Sequence, residues 1–262
     1  MKKNWMGKGI AAVAVLVLAF CGWKLYDMYA GYQQAASDYQ QLREVGRKEE
    51  SGTVTVTDEQ TQETEEIPAP GTVDFAALQA INADVVGWIR FVDAELPIDY
   101  PIVHSADNND YLRKNIQKEH SHAGSIILES GNSADFDDLH TIIYGHNMLD
   151  RSMFSTLKQY ADQAFYQAHS PFFYIYTPTH TALYQVFACQ EVDSEGEVYT
   201  IGFSEGADWQ QFTRRTMVDC ALYDTGITLS ESDRVVTLST CTRDAGARFV
   251  VHAKRIYLSE QQ

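Results

Sequence analysis

Between residues 86 and 257 the chain is cut into eight short apolar runs, and that spacing restricts its fold more than any other feature. The runs are 86–92, 98–103, 124–128, 139–144, 172–176, 182–192, 234–241 and 249–257, with turn-forming residues between them. Most are too short for stable helices and rich in Val, Ile, Phe and Tyr, which fit a pleated, half-buried surface. Many strands at such spacing make a barrel or a sandwich, and the pattern is compatible with either. Helical spacing is confined to three places. Asp74 can cap a short helix carrying Phe75, Leu78 and Ile81 on one face. Residues 152–168 place Phe154, Leu157 and Tyr160 together, and residues 207–223 do the same for Trp209, Phe212 and Thr216. No internal repeat is evident.

The last two runs carry the chemistry. Thr237-Leu238-Ser239-Thr240-Cys241 ends one strand, and Arg248 opens the next, Phe249-Val250-Val251. The polar loop between them contains Gly246 and suits a hairpin, which brings Cys241 and Arg248 to the same end of a ladder. Strand alternation turns Val236 and Leu238 toward the core and Thr237, Ser239 and Cys241 toward a groove. Cysteine is more often a small buried hydrophobe than a nucleophile. Its place on the polar face, beside an Arg, argues for reactivity here. A nucleophilic thiol needs a base or imidazolium partner. Ile142-Ile143-Tyr144-Gly145-His146-Asn147-Met148 offers His146 at a strand-to-loop junction, where site residues tend to lie on a rigid scaffold. The separation in sequence between His146 and Cys241 carries no geometry by itself.

Thr-Leu-Ser-Thr-Cys, the upstream Gly-His-Asn-Met and an Arg opening the following strand resemble a sortase, the cysteine transpeptidase of Gram-positive surfaces. Pro101-Ile102-Val103-His104, the segment Asp107-Asn108-Asn109-Asp110-Tyr111-Leu112 and a long insert before the Cys strand resemble class B. The resemblance spans roughly residues 73–257. It implies a mainly β fold: a closed sortase-type barrel of about eight strands with peripheral helices outside it. It also implies Cys241, His146 and Arg248 as catalytic residues. The loop from Cys to Arg is short, and Arg243 stands as an alternative to Arg248 because it follows Cys241 by two residues. Ser239, on the predicted face of Cys241, is a candidate groove contact. The implied reaction is acyl transfer through a Cys241 thioester formed on an Asn-Pro-x-Thr-x or similar sorting motif. A protonated His146 would stabilise the thiolate and then protonate the leaving amine. The acceptor would be a peptidoglycan amine. A pilin-polymerising sortase and an anchored cysteine protease using water share the same residues and stand as alternatives. No cofactor or metal is expected; His120-Ser121-His122 reads as an exposed loop pair.

The N-terminus bears on location. Residues 9–23 are uncharged and apolar, flanked by Lys2, Lys3 and Lys8 before and Lys24 after, with Trp5, Trp23 and Tyr26 as interface anchors. The stretch is shorter than the ~20 residues of a standard span, but lysines can snorkel. The competing reading is a cleaved leader, for which no convincing cleavage site is present. The expected order is a cytoplasmic segment 1–8, a signal-anchor 9–27, a juxtamembrane helix and acidic linker 28–70, and a catalytic domain 71–262 outside the cell membrane. Residues 49–66 hold Glu49, Glu50, Asp58, Glu59, Glu63, Glu65 and Glu66 with no Lys or Arg, the composition of a solvated spacer. The net charge of −16 argues against nucleic-acid partners. Cys189 and Cys220 are expected as core thiols, and nothing in the sequence requires a disulfide between them.

Overall fold

Each apolar run becomes one stave of a single closed sheet. A computed structural model describes residues 3–57, 64–242 and 246–260. In chain order the strands are β1 (Arg47–Lys48), β2 (Thr53–Thr57), β3 (Thr64–Pro68), β4 (Thr72–Val73), β5 (Val85–Phe91), β6 (Asp99–His104), β7 (Ile126–Leu128), β8 (His140–Tyr144), β9 (Phe172–Tyr176), β10 (His180–Asp193), β11 (Val235–Cys241) and β12 (Ala247–Glu260). The last eight form a closed barrel in the order β10-β12-β11-β8-β7-β6-β5-β9. Closure, rather than a sandwich, follows from β9, which pairs with β5 on one side and with β10 on the other. Within the barrel β6/β7 and β8/β11 are parallel and the other pairs antiparallel.

Two apolar clusters hold this sheet. Trp88, Ile102, Ile126, Ile143, Phe173 and Leu238 belong to the larger one. Leu139, Phe187, Val198, Trp209, Phe212, Met217 and Val235 form the other. The second contains residues of 194–234, the crossover joining β10 to β11, so that segment is packed down onto the sheet. Trp209 is fully buried, and its indole N–H donates to the Asp233 carbonyl at 2.8 Å. Burying a large apolar side chain stabilises by roughly 1.5–3 kcal/mol, so the crossover is held by several such contributions.

The helices follow the sequence with local departures. In α2 (Phe75–Ile81), the carboxylate of Asp74 accepts from the Ala77 N–H at 2.9 Å, the expected cap. The 152–168 segment splits into a 3₁₀ helix, Ser155–Ala161, and a helix α3 (Gln163–Ala168), because Asp162 caps the latter by accepting from Ala164 N–H. The 207–223 segment is a helix α4 (Ala207–Thr213) running into a wider π turn, Arg214–Val218. That widening shifts the face, and the helix ends before Cys220, which is exposed rather than a core thiol. Cys189 is buried as expected and donates its S–H to the Tyr160 carbonyl at 3.0 Å.

The N-terminal helix α1 (Lys3–Gly46) is continuous. Its apolar side chains from Ile10 to Tyr29 are exposed, and it is long and apolar enough to cross a bilayer. Further along, Ala35, Tyr39 and Leu42 pack into the barrel cluster, and Tyr39 Oη donates to the Gly124 carbonyl at 2.6 Å. The acidic stretch differs from the solvated spacer expected of it. Its described part is a hairpin in which β2 pairs with β3, anchored by Ile67 in the core cluster. Val54, Val56 and Ile67 alternate with Thr and Glu, a strand period the acidic composition masks. Residues 58–63 lie outside the described part.

Candidate active site

The register of β8 against β11 builds the site. Val235 pairs with His140, and the ladder runs in parallel to Ser239 with Tyr144. The Gly145 N–H extends it by donating to the Ser239 carbonyl at 3.0 Å. The register offset is 235 − 140 = 95, and 241 − 146 = 95. His146 and Cys241 therefore stand level, Cys241 at the last position of β11 and His146 two residues past the end of the parallel β8. Gly145 is required at this step, because a Cβ there would lie 2.5 Å from the Phe154 ring. Asn147 closes the corner: its Nδ2 donates to the Cys241 carbonyl at 2.9 Å. The loop is held from behind by Phe154 N–H donating to the His146 carbonyl at 3.0 Å.

The third residue comes from the hairpin. Cys241 pairs directly with Arg248 across β11 and β12. Val235 to Thr240 are buried and Cys241 is the first exposed residue of its strand, so the thiol emerges where the sheet meets solvent. Arg248 is half-buried, with Nη1 donating to the Ala247 carbonyl at 3.0 Å. The structure thus brings Cys241, His146 and Arg248 to one end of three neighbouring strands. Arg243 lies outside the described residues. His146 is half-buried, and burial, aided by the positive charge of Arg113, holds its pKa below the ordinary histidine value.

One residue of the site carries no mark in the sequence. Tyr199, at the end of a single 3₁₀ turn Glu197–Tyr199, comes back over β11 and places its Oη 2.9 Å from Ser239 Oγ. Burial raises its pKa, and the Ser239 hydrogen bond and the charge of Arg248 oppose that shift, with Cys241 also in electrostatic range. Its ring stacks on Tyr144, centroids 6.3 Å apart, and Tyr144 Oη donates to the Glu129 carboxylate at 2.7 Å. Two tyrosines thus wall the ground beside Cys241 and Arg248. A cavity of about 860 Å³ lies elsewhere, between the β2 edge and the outer faces of β9, β10 and β12, and none of these site residues lines it.

A sortase-domain family model matches residues 94–256, which include all three strand-end residues. The chain belongs to the sortase family. Its similarity is to class B: it is 33% identical to a Sortase B of Listeria monocytogenes over 97% of this chain and 98% of that protein. It superposes on sortase B of B. anthracis in complex with AAEK1 with a TM-score of 0.69 at 29% identity, covering 87% of this chain and 99% of that one. A Staphylococcus aureus sortase B–substrate complex matches with a TM-score of 0.64 at 31% identity, covering 70% and 84%. This sortase is accordingly a class B-type transpeptidase on a closed barrel with peripheral helices.

Ser239 and Thr237 are not groove residues in the sortase as it stands. Thr237 is fully buried and Ser239 is 2% exposed. The polar face predicted for β11 is real, but the crossover covers it as far as Ser239 and leaves only Cys241 open. Beneath that cover, His140 and His252 are fully buried, and burial pushes their pKa values down to about 4 and about 3. Neither ring reaches solvent. Their titration has a stability consequence. An unfolded histidine takes up a proton near pH 6.5, whereas these rings resist it until far lower pH. Their contribution is complete above pH 6.5 and is lost as pH falls from there toward about 4, where the unfolded chain binds more protons. At pH 5 the two together should cost roughly 4 kcal/mol relative to pH 7.5, before other groups are added. Guanidinium unfolding at the two pH values measures this, and equal midpoints would mean that both rings titrate normally.

Proposed function

We propose that this sortase is anchored by α1, with its N-terminus inside and the barrel outside, and that Cys241 carries the acyl group from a secreted protein to a cell-wall amine. The observation that carries this reading is the exposed Cys241, paired across the hairpin with Arg248 and level with His146. His146 takes the proton of the Cys241 thiol as Sγ attacks the Thr carbonyl of an Asn-Pro-x-Thr-x motif. Arg248 donates hydrogen bonds to the oxyanion that develops. A single donor of this kind is worth on the order of 3–4 kcal/mol in other enzymes. Collapse breaks the C–N bond after Thr, and His146 returns its proton to the leaving amine. The thioester is then attacked by a peptidoglycan amine, whose proton passes to His146 and back to the thiol. The S. aureus relative, solved as a substrate complex, supports substrate binding on this shared fold.

Mass spectrometry tests this on the full chain in detergent, because α1 packs into the core. The chain is incubated with Asn-Pro-x-Thr-x and Leu-Pro-x-Thr-Gly peptides, with and without oligoglycine or a diaminopimelate-type amine. The expected result is an adduct of the N-terminal peptide fragment on Cys241 and an amine-ligated product. Hydrolysis alone with every amine would favour a protease, and no adduct on a thiol that resists alkylation would overturn the assignment.

A further inference from the structure

A buried polar chain fastens the crossover that carries Tyr199 to the barrel. It begins at the Thr200 carbonyl, which lies 2.7 Å from His140 Nδ1. His140 Nε2 is 2.7 Å from Thr237 Oγ1, which is 2.9 Å from His252 Nδ1. His252 Nε2 is 3.1 Å from Gln190 Nε2, which ends the chain 2.6 Å from the Thr216 carbonyl. The four side chains stand on β8, β11, β12 and β10, neighbours in barrel order. Both terminal carbonyls belong to the crossover, Thr200 near its start and Thr216 in its π turn.

The direction of every bond is forced. A carbonyl only accepts, so His140 Nδ1 carries a proton, and the neutral ring leaves Nε2 bare. The Thr237 hydroxyl must therefore donate to His140, and its oxygen must accept from His252 Nδ1–H. His252 Nε2 is then bare and accepts from the Gln190 amide, whose second proton goes to Thr216. Every buried polar atom along the path has its partner, which makes the network rigid and costly to break at any link.

We infer that His140, Thr237, His252 and Gln190 are positioning residues that clamp both ends of the crossover's helical part and so hold Tyr199 beside Cys241 and Arg248. The step from Thr200 to Tyr199 is one peptide unit, and Tyr199 has its second hold on Ser239 of the same strand as Thr237. The inference rests on Cys241 and Arg248 being the reacting pair. None of the four clamp side chains hydrogen-bonds to Cys241, His146 or Arg248, so loosening them affects the wall of the groove and leaves the chemistry in place.

Thr237→Val removes the central hydroxyl at nearly constant shape, and Thr237→Ser keeps it. In the full chain, Thr237→Val should raise KM for the sorting peptide at least ~10-fold with kcat within ~3-fold, and Thr237→Ser should restore it. Amide exchange should quicken in 197–201 and 212–218 in the Val variant only, with β5 and β9 unchanged. Imidazole ¹⁵N spectra of the unmodified chain should show both buried rings as Nδ1–H tautomers. If Thr237→Val does not fold, Gln190→Leu is read in its place, with quickened exchange expected at 212–218. Unchanged exchange, equal loosening by Val and Ser, a kcat loss at constant KM, or an Nε2–H tautomer in either ring would overturn the clamp. If the unmodified chain turns over no peptide, the functional reading fails, and the exchange and tautomer measurements still decide the clamp.

Discussion

Cys241→Ala is expected to abolish both the peptide adduct and turnover while leaving the fold intact. Cys241 is exposed at the last position of β11, and its Sγ makes no hydrogen bond among the described residues. Trimming one exposed atom there should change stability by no more than about 0.5 kcal/mol. No other thiol can substitute. Cys189 is buried, with its pKa pushed up to about 11 by burial, and Cys21 lies on the exposed apolar part of α1. Cys220 is exposed but sits just past the π turn, with its S–H on the Arg215 carbonyl. Intact mass after peptide incubation, with unfolding curves of both proteins, checks the prediction. An adduct surviving in the Ala variant would remove Cys241 as the nucleophile.

His146→Ala should cost about three orders of magnitude in kcat/KM, within the ~10²–10⁴ range of a positioned acid–base group. The pH profile of the unmodified enzyme adds a second check. Burial and the Arg113 charge both disfavour the imidazolium, so the acidic limb of kcat/KM should fall below the ordinary histidine value of about 6.5. Steady-state rates across pH measure both effects. A loss under tenfold, or an acidic limb above 6.5, would show that His146 does not handle the proton. His140 and His252 would not then inherit the role, since both are sealed under the crossover.

The eight strands were legible because each buries at least one face, so each must write an apolar run into the sequence. The apolar pattern alone left closure open, and only the family resemblance supplied it, because closure depends on β9 meeting β5 as well as β10, and β5 lies far from β9 in sequence. The clean helical pattern at 207–223 hid a π turn, since side-chain spacing does not report one extra residue in a turn, and Cys220 was misplaced for that reason. Ser239 was placed on the correct face but in the wrong surroundings. Alternation reports which side of a sheet a residue occupies and says nothing about what lies over that side. Tyr199 had no local mark at all.

By itself, the sequence determined the residue types and strand ends that make a sortase site: a thiol ending one strand, an Arg opening the next, and a Gly-His-Asn corner upstream. Those are local facts, set by short-range propensity and by the chemistry each side chain can do. The tertiary structure alone decided that the 95-residue separation of His146 and Cys241 is the parallel register of β8 on β11. It also decided that the crossover folds back to cover Thr237 and Ser239, to bring Tyr199 alongside and to bury two histidines. Register and cover are fixed by hydrogen-bond ladders and burial between segments distant in the chain, and no window of sequence contains both partners.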